Sequence, residues 1–345
     1  MKILGPALTA VLALGAVPAV ADAAPHWTVC AATCSFDVPA GDYQVDVVLG
    51  GRDAGSTGLD VEARRIALAP VATRAGQYVH RSVTVEVRTP EGMPSGEDGP
   101  GTPGLQVRLT GTAPQPVRIH VTPKPRAPRI FVISDSTAAD WTNLPKNGWA
   151  QALPEFFRAG PSVRNYAQSG ASTVSYLDDP RYFARVRPMI RPGDTALIQL
   201  AHNDKQTTEA VYRANLATLI AGVRAQGGAP VLVTPPVRHR FGADGKLTPL
   251  GLVVNNLGVD LPAVLRDVAR QQEIPLLDLT ARSQALLESL GEAASWPLYL
   301  TLAHDGVDDA THLSRYGAEQ FAALVARAMV QARLPLAHFL RPERL

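Results

Sequence analysis

The chain of 345 residues has only two cysteines, Cys30 and Cys34. Two thiols alone do not make a zinc site, and three intervening residues do not fit a C-x-x-C redox motif. The expectation is a local disulfide, formed in an oxidising compartment. Charge of one sign is also missing, since Lys+Arg total 33 against 31 for Asp+Glu. With no basic run, a nucleic-acid-binding surface is excluded as a leading reading. A Gly-rich phosphate loop, H-E-x-x-H and a calcium loop are all absent from the sequence, so no cofactor and no metal is expected. Beyond residue 20 no stretch reaches about 18 uninterrupted apolar residues, which leaves no later membrane-span candidate.

The one long apolar stretch lies at the start. Met1-Lys2 precedes Ile3 to Val20, and Ala19-Val20-Ala21 and Ala21-Asp22-Ala23 offer A-x-A sites. Charge, apolar run and small residues in that order form a signal-peptide pattern over residues 1–24. Cleavage after Ala21, Ala23 or Ala24 and a secreted or periplasmic location are the expectations, without a stable membrane anchor afterwards.

From Trp27 to about Val121 apolar residues alternate. Tyr43, Val45, Val47 and Leu49 form one set; Val83, Val85 and Val87 a second; Leu105, Val107 and Leu109 a third; Val117, Ile119 and Val121 a fourth. Period two in short runs between Gly, Pro, Asp and Ser clusters predicts an antiparallel β-sandwich over residues 25–121. The Gly- and Pro-rich stretch from Thr89 to Gly104 reads as a mobile loop. Residues 122–128, with Pro123, Pro125 and Pro128, read as a stiff extended linker.

After Arg129 the texture changes. Apolar runs at Ile130–Ile133, Val163–Asn165, Thr195–Leu200, Pro230–Thr234 and Ile274–Leu277 alternate with helical stripes. Tyr212, Leu216, Leu219, Ile220 and Val223 make one stripe; Leu261, Val264, Leu265 and Val268 another; Phe321, Leu324, Val325 and Ala328 a third. This alternation predicts a parallel sheet covered on both faces over residues 129–345.

Polar groups cluster where those strands end. Ser134-Asp135-Ser136-Thr137 follows the first, and in open α/β sheets ligands collect at strand carboxyl ends. Ser136 is a nucleophile candidate or a helix cap. Asp309-Ala310-Thr311-His312 precedes the last helix, and three-residue spacing can put Asp309 on His312 Nδ1, leaving Nε2 to take a proton from Ser136. A tetrahedral oxyanion needs fixed donors. Ser136 N–H, Gly170 N–H after Asn165, and the Asn203 side chain in Ala201-His202-Asn203-Asp204 are the candidates. His202 reads as a structural hydrogen-bonder. Arg238 and Arg240 could line a rim. Trp141, Trp149, Tyr176, Tyr182 and Trp296 read as packing groups or sugar platforms. His26, His80, His120, His304 and His338 carry no partner pattern.

Asp135-Ser136-Thr137, Asn165-x-x-x-x-Gly170, His202-Asn203-Asp204 and Asp309-x-Thr311-His312, in that order, resemble the four blocks of the SGNH (GDSL-type) hydrolases. The resemblance is nearest to the rhamnogalacturonan acetylesterase branch and covers residues 129–332. It implies a flavodoxin-like three-layer α/β/α fold and removal of acetyl groups from plant cell-wall polysaccharide without a cofactor. It implies Ser136 as nucleophile, His312 as base, Asp309 as its orienter, and Gly170 and Asn203 in the oxyanion hole. It also implies a galactose-binding-like, carbohydrate-binding role for the N-terminal sandwich. Ser134 and Ala201 replace family glycines, and Ala171-Ser172 stand where relatives often carry Gly-Arg-Ser. The exact glycan and its acetyl position stay open. Another acetylated glycan, a lipid ester, or a silent carbohydrate-binding protein are the alternatives. Every catalytic candidate follows the linker, so the second part is expected to act alone on a small ester.

Overall fold

The computed structural model describes residues 27–345, so the expected signal peptide lies outside the described residues. Eight strands come first: β1 (Thr28–Cys30), β2 (Thr33–Phe36), β3 (Gly41–Leu49), β4 (Gly55–Val61), β5 (Arg65–Thr73), β6 (Val79–Val87), β7 (Leu105–Ala113) and β8 (Val117–Pro123). They form two antiparallel four-stranded sheets, ordered β1-β8-β3-β6 and β2-β7-β4-β5. The alternating residues named above fill the space between the sheets, with Val45, Leu49, Leu105, Val107 and Ile119 fully buried. Cys30 and Cys34 are disulfide-bonded and tie the start of one sheet to the other.

β5 carried no period-two signal, for a physical reason. Arg65 to Ala69 are all buried, because β5 is covered on both faces. Ala67 and Leu68 join the sandwich core, whereas Ile66 joins the core of the second half. The linker also departs from expectation. Thr122 and Pro123 continue β8, and Ala127 N–H then donates to the Lys124 carbonyl, 3.0 Å. Residues 124–127 therefore form a β-turn with Pro125 at its second position rather than an extended rod.

The second half is built on β9 (Arg129–Ser134), β10 (Ser162–Asn165), β11 (Thr195–Gln199), β12 (Ala229–Val233) and β13 (Leu276–Leu277), all parallel, in the order β10-β9-β11-β12-β13. Its strand side chains divide between two cores. Ile130 and Val132 face the helices Leu279–Leu290 and Arg315–Gln331; Phe131 and Ile133 face Glu209–Arg224 and Leu261–Gln271. The three helical stripes are buried, apart from Leu324, which is half-buried. A short hairpin of β14 (Tyr299–Leu300) and β15 (Asp309–Leu313) precedes the last helix. Among the described residues no helix is long and apolar enough to cross a membrane.

Numbered within the second half, this strand order is 2-1-3-4-5. The order reverses between β9 and β11, and ligands bind at the strand carboxyl ends beside such a reversal. Ser136 follows β9 and Asn203 follows β11.

The two halves share a buried boundary. Arg88, at the end of β6, bonds Glu86, Asp140 and the Asn165 carbonyl; Arg164 on β10 pairs with Asp42 and Glu86; Arg315 on the last helix holds Asp60 of β4. The first part of the stretch from Thr89 to Gly104 is packed into this boundary, with Glu91, Gly92, Met93 and Pro94 buried, whereas Pro100 to Pro103 are exposed. Those contacts run against the expectation that the second half stands alone.

Candidate active site

β9 ends in a turn held by one carboxylate. Asp135 accepts from Thr137 N–H (3.0 Å), Thr137 Oγ1 (2.7 Å) and Gln199 Nε2 (3.2 Å), and faces His202 Nδ1 at 3.3 Å. Burial alone would raise its pKa, but His202 and the Thr137 donors win and bring it down to about 2. The result is a fixed, ionised corner that sets where Ser136 sits. His202 Nε2 donates to the Pro236 carbonyl at 2.9 Å, so both ring nitrogens are engaged and His202 is a hydrogen-bonder with no free base position.

Ser134 and Ala201 have no positive φ, so a side chain there strains nothing. Gly170 differs. Ala171 N–H donates to the Gln168 carbonyl, and Gly170, third in that turn, has φ +75°. A type II turn demands a left-handed residue at that position. A Cβ at Gly170 would meet nothing within 4 Å, so the requirement is conformational rather than steric.

Asp309 sits at the start of β15 and bends it. Its Oδ1 accepts from Thr311 N–H (2.9 Å) and His312 N–H (3.0 Å), while Oδ2 takes His312 Nδ1 at 2.6 Å. The pairing arises in a bent strand rather than on a helical turn. Burial would raise the Asp309 pKa, but the His312 bond outweighs it and holds the carboxyl well below its ordinary value. His312 Nε2 is shielded from solvent and has no hydrogen-bond partner, Ser136 included. Such bonds are often long before substrate is seated.

A cavity of about 320 Å³ gathers Ser136, Asn203, Asp309 and His312 with Arg238 and Arg240. Gly170 is not among its lining residues; it adjoins Ala171, whose carbonyl accepts from Asn203 Nδ2 at 3.1 Å. Lys205, Asn255 and Asn256 complete the polar wall. A larger cavity of about 1090 Å³, lined by Leu144, Trp296 and Tyr316 among others, holds none of these candidates.

Of the aromatics, Trp149 and Tyr176 are fully buried, and Tyr182 is buried as well. Trp141 belongs to the site: its Nε1 donates to the Ser136 carbonyl (3.0 Å) and its ring meets His312 edge-on, centroids 5.6 Å apart. The sequence singled out Trp141 without its role, because nothing local links it to residue 312.

A doubly wound sheet with serine, amide and an Asp-supported imidazole at its topological switch point defines a carboxylic ester hydrolase of the SGNH type. Residues 135–320 match the GDSL-like Lipase/Acylhydrolase family, and the chain belongs to that family. It is 32% identical over 221 residues to rhamnogalacturonan acetylesterase RhgT of Bacillus subtilis (strain 168), covering 60% of this chain and 92% of the relative. It is 29% identical over 229 residues to the probable rhamnogalacturonan acetylesterase YesY of the same organism, covering 63% of this chain and all of the relative. A crystal structure of the Bacillus subtilis protein YxiM superposes with a TM-score of 0.54 at 23% identity, covering 88% of this chain and 81% of that one.

Proposed function

We propose that the protein is an exported serine esterase that removes acetyl groups from acetylated plant cell-wall polysaccharide, rhamnogalacturonan first among them. The observation that carries this reading is the single cavity holding Ser136, Asn203 and an Asp309-bound His312 whose Nε2 is unpartnered. The acetyl preference is supported by the names of RhgT and YesY.

In this reading the chemistry belongs to residues 129–345. Ser136 Oγ attacks the acetyl carbonyl and passes its proton to His312 Nε2. Asp309 orients the neutral imidazole, the base a serine hydroxyl needs to act as a nucleophile, and steadies the imidazolium that forms. The carbonyl oxygen becomes an oxyanion held by Ser136 N–H, Gly170 N–H and Asn203 Nδ2. The bond between the acetyl carbon and the sugar oxygen breaks as His312 gives its proton to that oxygen, leaving the acetyl group on Ser136 Oγ. Water then attacks the acetyl-enzyme, gives a proton to His312, and acetate leaves as Ser136 regains its hydrogen.

The cavity wall supports an acidic glycan. Lys205, Arg238 and Arg240 line it, and none of the three takes part in an ion pair among the described residues. The one carboxylate on the wall, Asp309, is bound to His312. Arg238 is anchored by donating to the His202 carbonyl at 2.9 Å.

Acetate release from acetylated rhamnogalacturonan, acetylated xylan and a lipid ester tests the substrate. The pectic polymer is expected to be the best, and Ser136→Ala should abolish turnover on all, leaving about 10³–10⁴ over water. Undiminished activity in Ser136→Ala would remove the nucleophile. A folded wild type that binds polymer but releases no acetate would make it a binding protein.

A further inference from the structure

The candidate oxyanion turn is held in part from the other half of the molecule. Its residues run from Asn165 at the end of β10 to Ala171, and none of their own hydrogen bonds reaches the sheet beyond Tyr166 and Gln168 N–H, which donate to Val132 and Ser134 carbonyls. Tyr176 Oη and Asn203 Nδ2 hold the Tyr166 and Ala171 carbonyls from the same half, and further ties come from the segment that joins β6 to β7. Arg88 Nη2 donates to the Asn165 carbonyl at 2.6 Å. Ser95 N–H donates to Gln168 Oε1 at 3.0 Å, and Ser169 N–H donates to Met93 Sδ at 3.2 Å. The segment is itself fixed, since Arg185 donates to the Thr89 and Pro94 carbonyls and Arg88 donates to the Gly92 carbonyl at 2.9 Å.

The same guanidinium reaches the nucleophile loop. Arg88 Nη2 also bonds Asp140 Oδ2 at 3.0 Å, four residues after Ser136. Asp140 Oδ1 accepts from Asn165 Nδ2 at 2.7 Å, and that amide donates as well to the Ala138 carbonyl at 2.7 Å. Arg88, Asp140 and Asn165 thus close a buried triangle between the loop carrying Ser136 and the turn carrying Gly170. Glu86 balances the cation from the sandwich side, with Arg65 and Arg164 beside it.

We propose that Arg88 and the segment it begins, residues 88–95, are a positioning device that sets the oxyanion turn at a fixed distance from Ser136. The sandwich is then a working part of the ester-hydrolase site, whether or not it also binds glycan. This inference rests on the reading of Gly170 as an oxyanion donor. Glu86 holds Nη1, and the planar fork then aims Nη2 at Asn165, Asp140 and Gly92, which share its two hydrogens; an ammonium on a flexible stem cannot keep that direction. A donor displaced by about 1 Å costs on the order of 10²-fold in rate, because the oxyanion exists only in the transition state.

Full-length Arg88→Lys and Arg88→Met decide the matter, measured by kcat and KM on a small activated acetate ester, by thermal unfolding, and by amide hydrogen exchange. Arg88→Lys keeps the charge against Glu86 and Asp140 and guards against loss of the fold in Arg88→Met. The expected result is a folded Arg88→Lys protein with kcat down tenfold to a hundredfold. Its KM stays within about twofold, and exchange is faster at residues 165–171 while the central sheet keeps its protection. Wild-type kcat with wild-type exchange at 165–171 overturns the proposal. So does a kcat loss without faster exchange there, or a loss of protection spread evenly through the sheet. An inactive wild type would instead defeat the esterase reading, and the exchange data would still decide whether Arg88 holds the turn.

Discussion

Asn203 is where transition-state chemistry separates from simple structure. One of its amide hydrogens is committed to the Ala171 carbonyl, which leaves the other for an oxyanion. Asn203→Ala should lower kcat and kcat/KM together, by about 10²–10³, with KM little changed. Steady-state kinetics with a melting curve on the same protein is the check, and a folded variant near wild-type kcat removes Asn203 from the site. The cationic wall makes a different demand. Lys205→Ala with Arg240→Ala should raise KM for an acetylated uronate polymer and leave a small neutral ester untouched, since only the polymer carries a carboxylate for them to meet. Equal loss on both esters would show that these side chains shape the cavity instead. The four blocks were legible at this scale because each is short and local. Arg88, Asp140 and Gln199 were not, because their roles come from contacts tens of residues apart: Arg88 with Asn165, Gln199 with Asp135.

Strands that alternate apolar with polar residues announced themselves, β7 with its polar side partly in water and β6 with Thr84 and Glu86 buried in the boundary. β5 did not, because both of its buried faces are apolar from Ile66 to Ala69, which erases the period. The Gly-Pro segment after β6 misled at residues 91–94 for the opposite reason: turn chemistry marks irregular backbone, and irregular backbone can still be packed. The last helix shows how an element's start serves its neighbour. Ser314 Oγ accepts from Gly317 N–H (3.0 Å) and donates to the Pro297 carbonyl (2.6 Å), two residues after His312. Gly317 lets the helix touch that segment, for a Cβ there would fall 1.8 Å from the Leu298 carbonyl oxygen. Ser314→Ala should cost about 1 kcal/mol of stability, the worth of an N-cap. Urea unfolding with an unchanged slope is the measure, and an unmoved midpoint would show that the cap bond carries no weight.

For the whole molecule, pH pulls stability both ways. Burial pushes Glu62 from 4.5 up to about 7. Burial, with the charge of Glu319, does the same to Glu155 despite Arg344. Their native forms bind more protons than the unfolded chain between those values, so stability falls as pH rises from 4.5 to 7. Asp135 and Asp309 act in the other direction: their bonds stabilise above the ordinary carboxylate value, and that share is lost as pH falls toward 2. A melting temperature highest in mildly acidic buffer is expected, and Glu155→Gln should flatten its decline toward neutral pH. A melting temperature that climbs steadily from pH 5 to 8 would contradict this account.

The buried Arg88–Asp140–Asn165 triangle bears on how such a chain can be inherited or recombined. A sandwich exchanged for one from another lineage, spliced at the turn over 124–127, would arrive without its matching cation. Asp140 would then face an apolar wall unpaired, and removing one partner of a buried pair costs about 3–5 kcal/mol. Descent should therefore keep Arg88 and Asp140 together or change them together, so that the seam between the halves, rather than either half, behaves as the heritable unit.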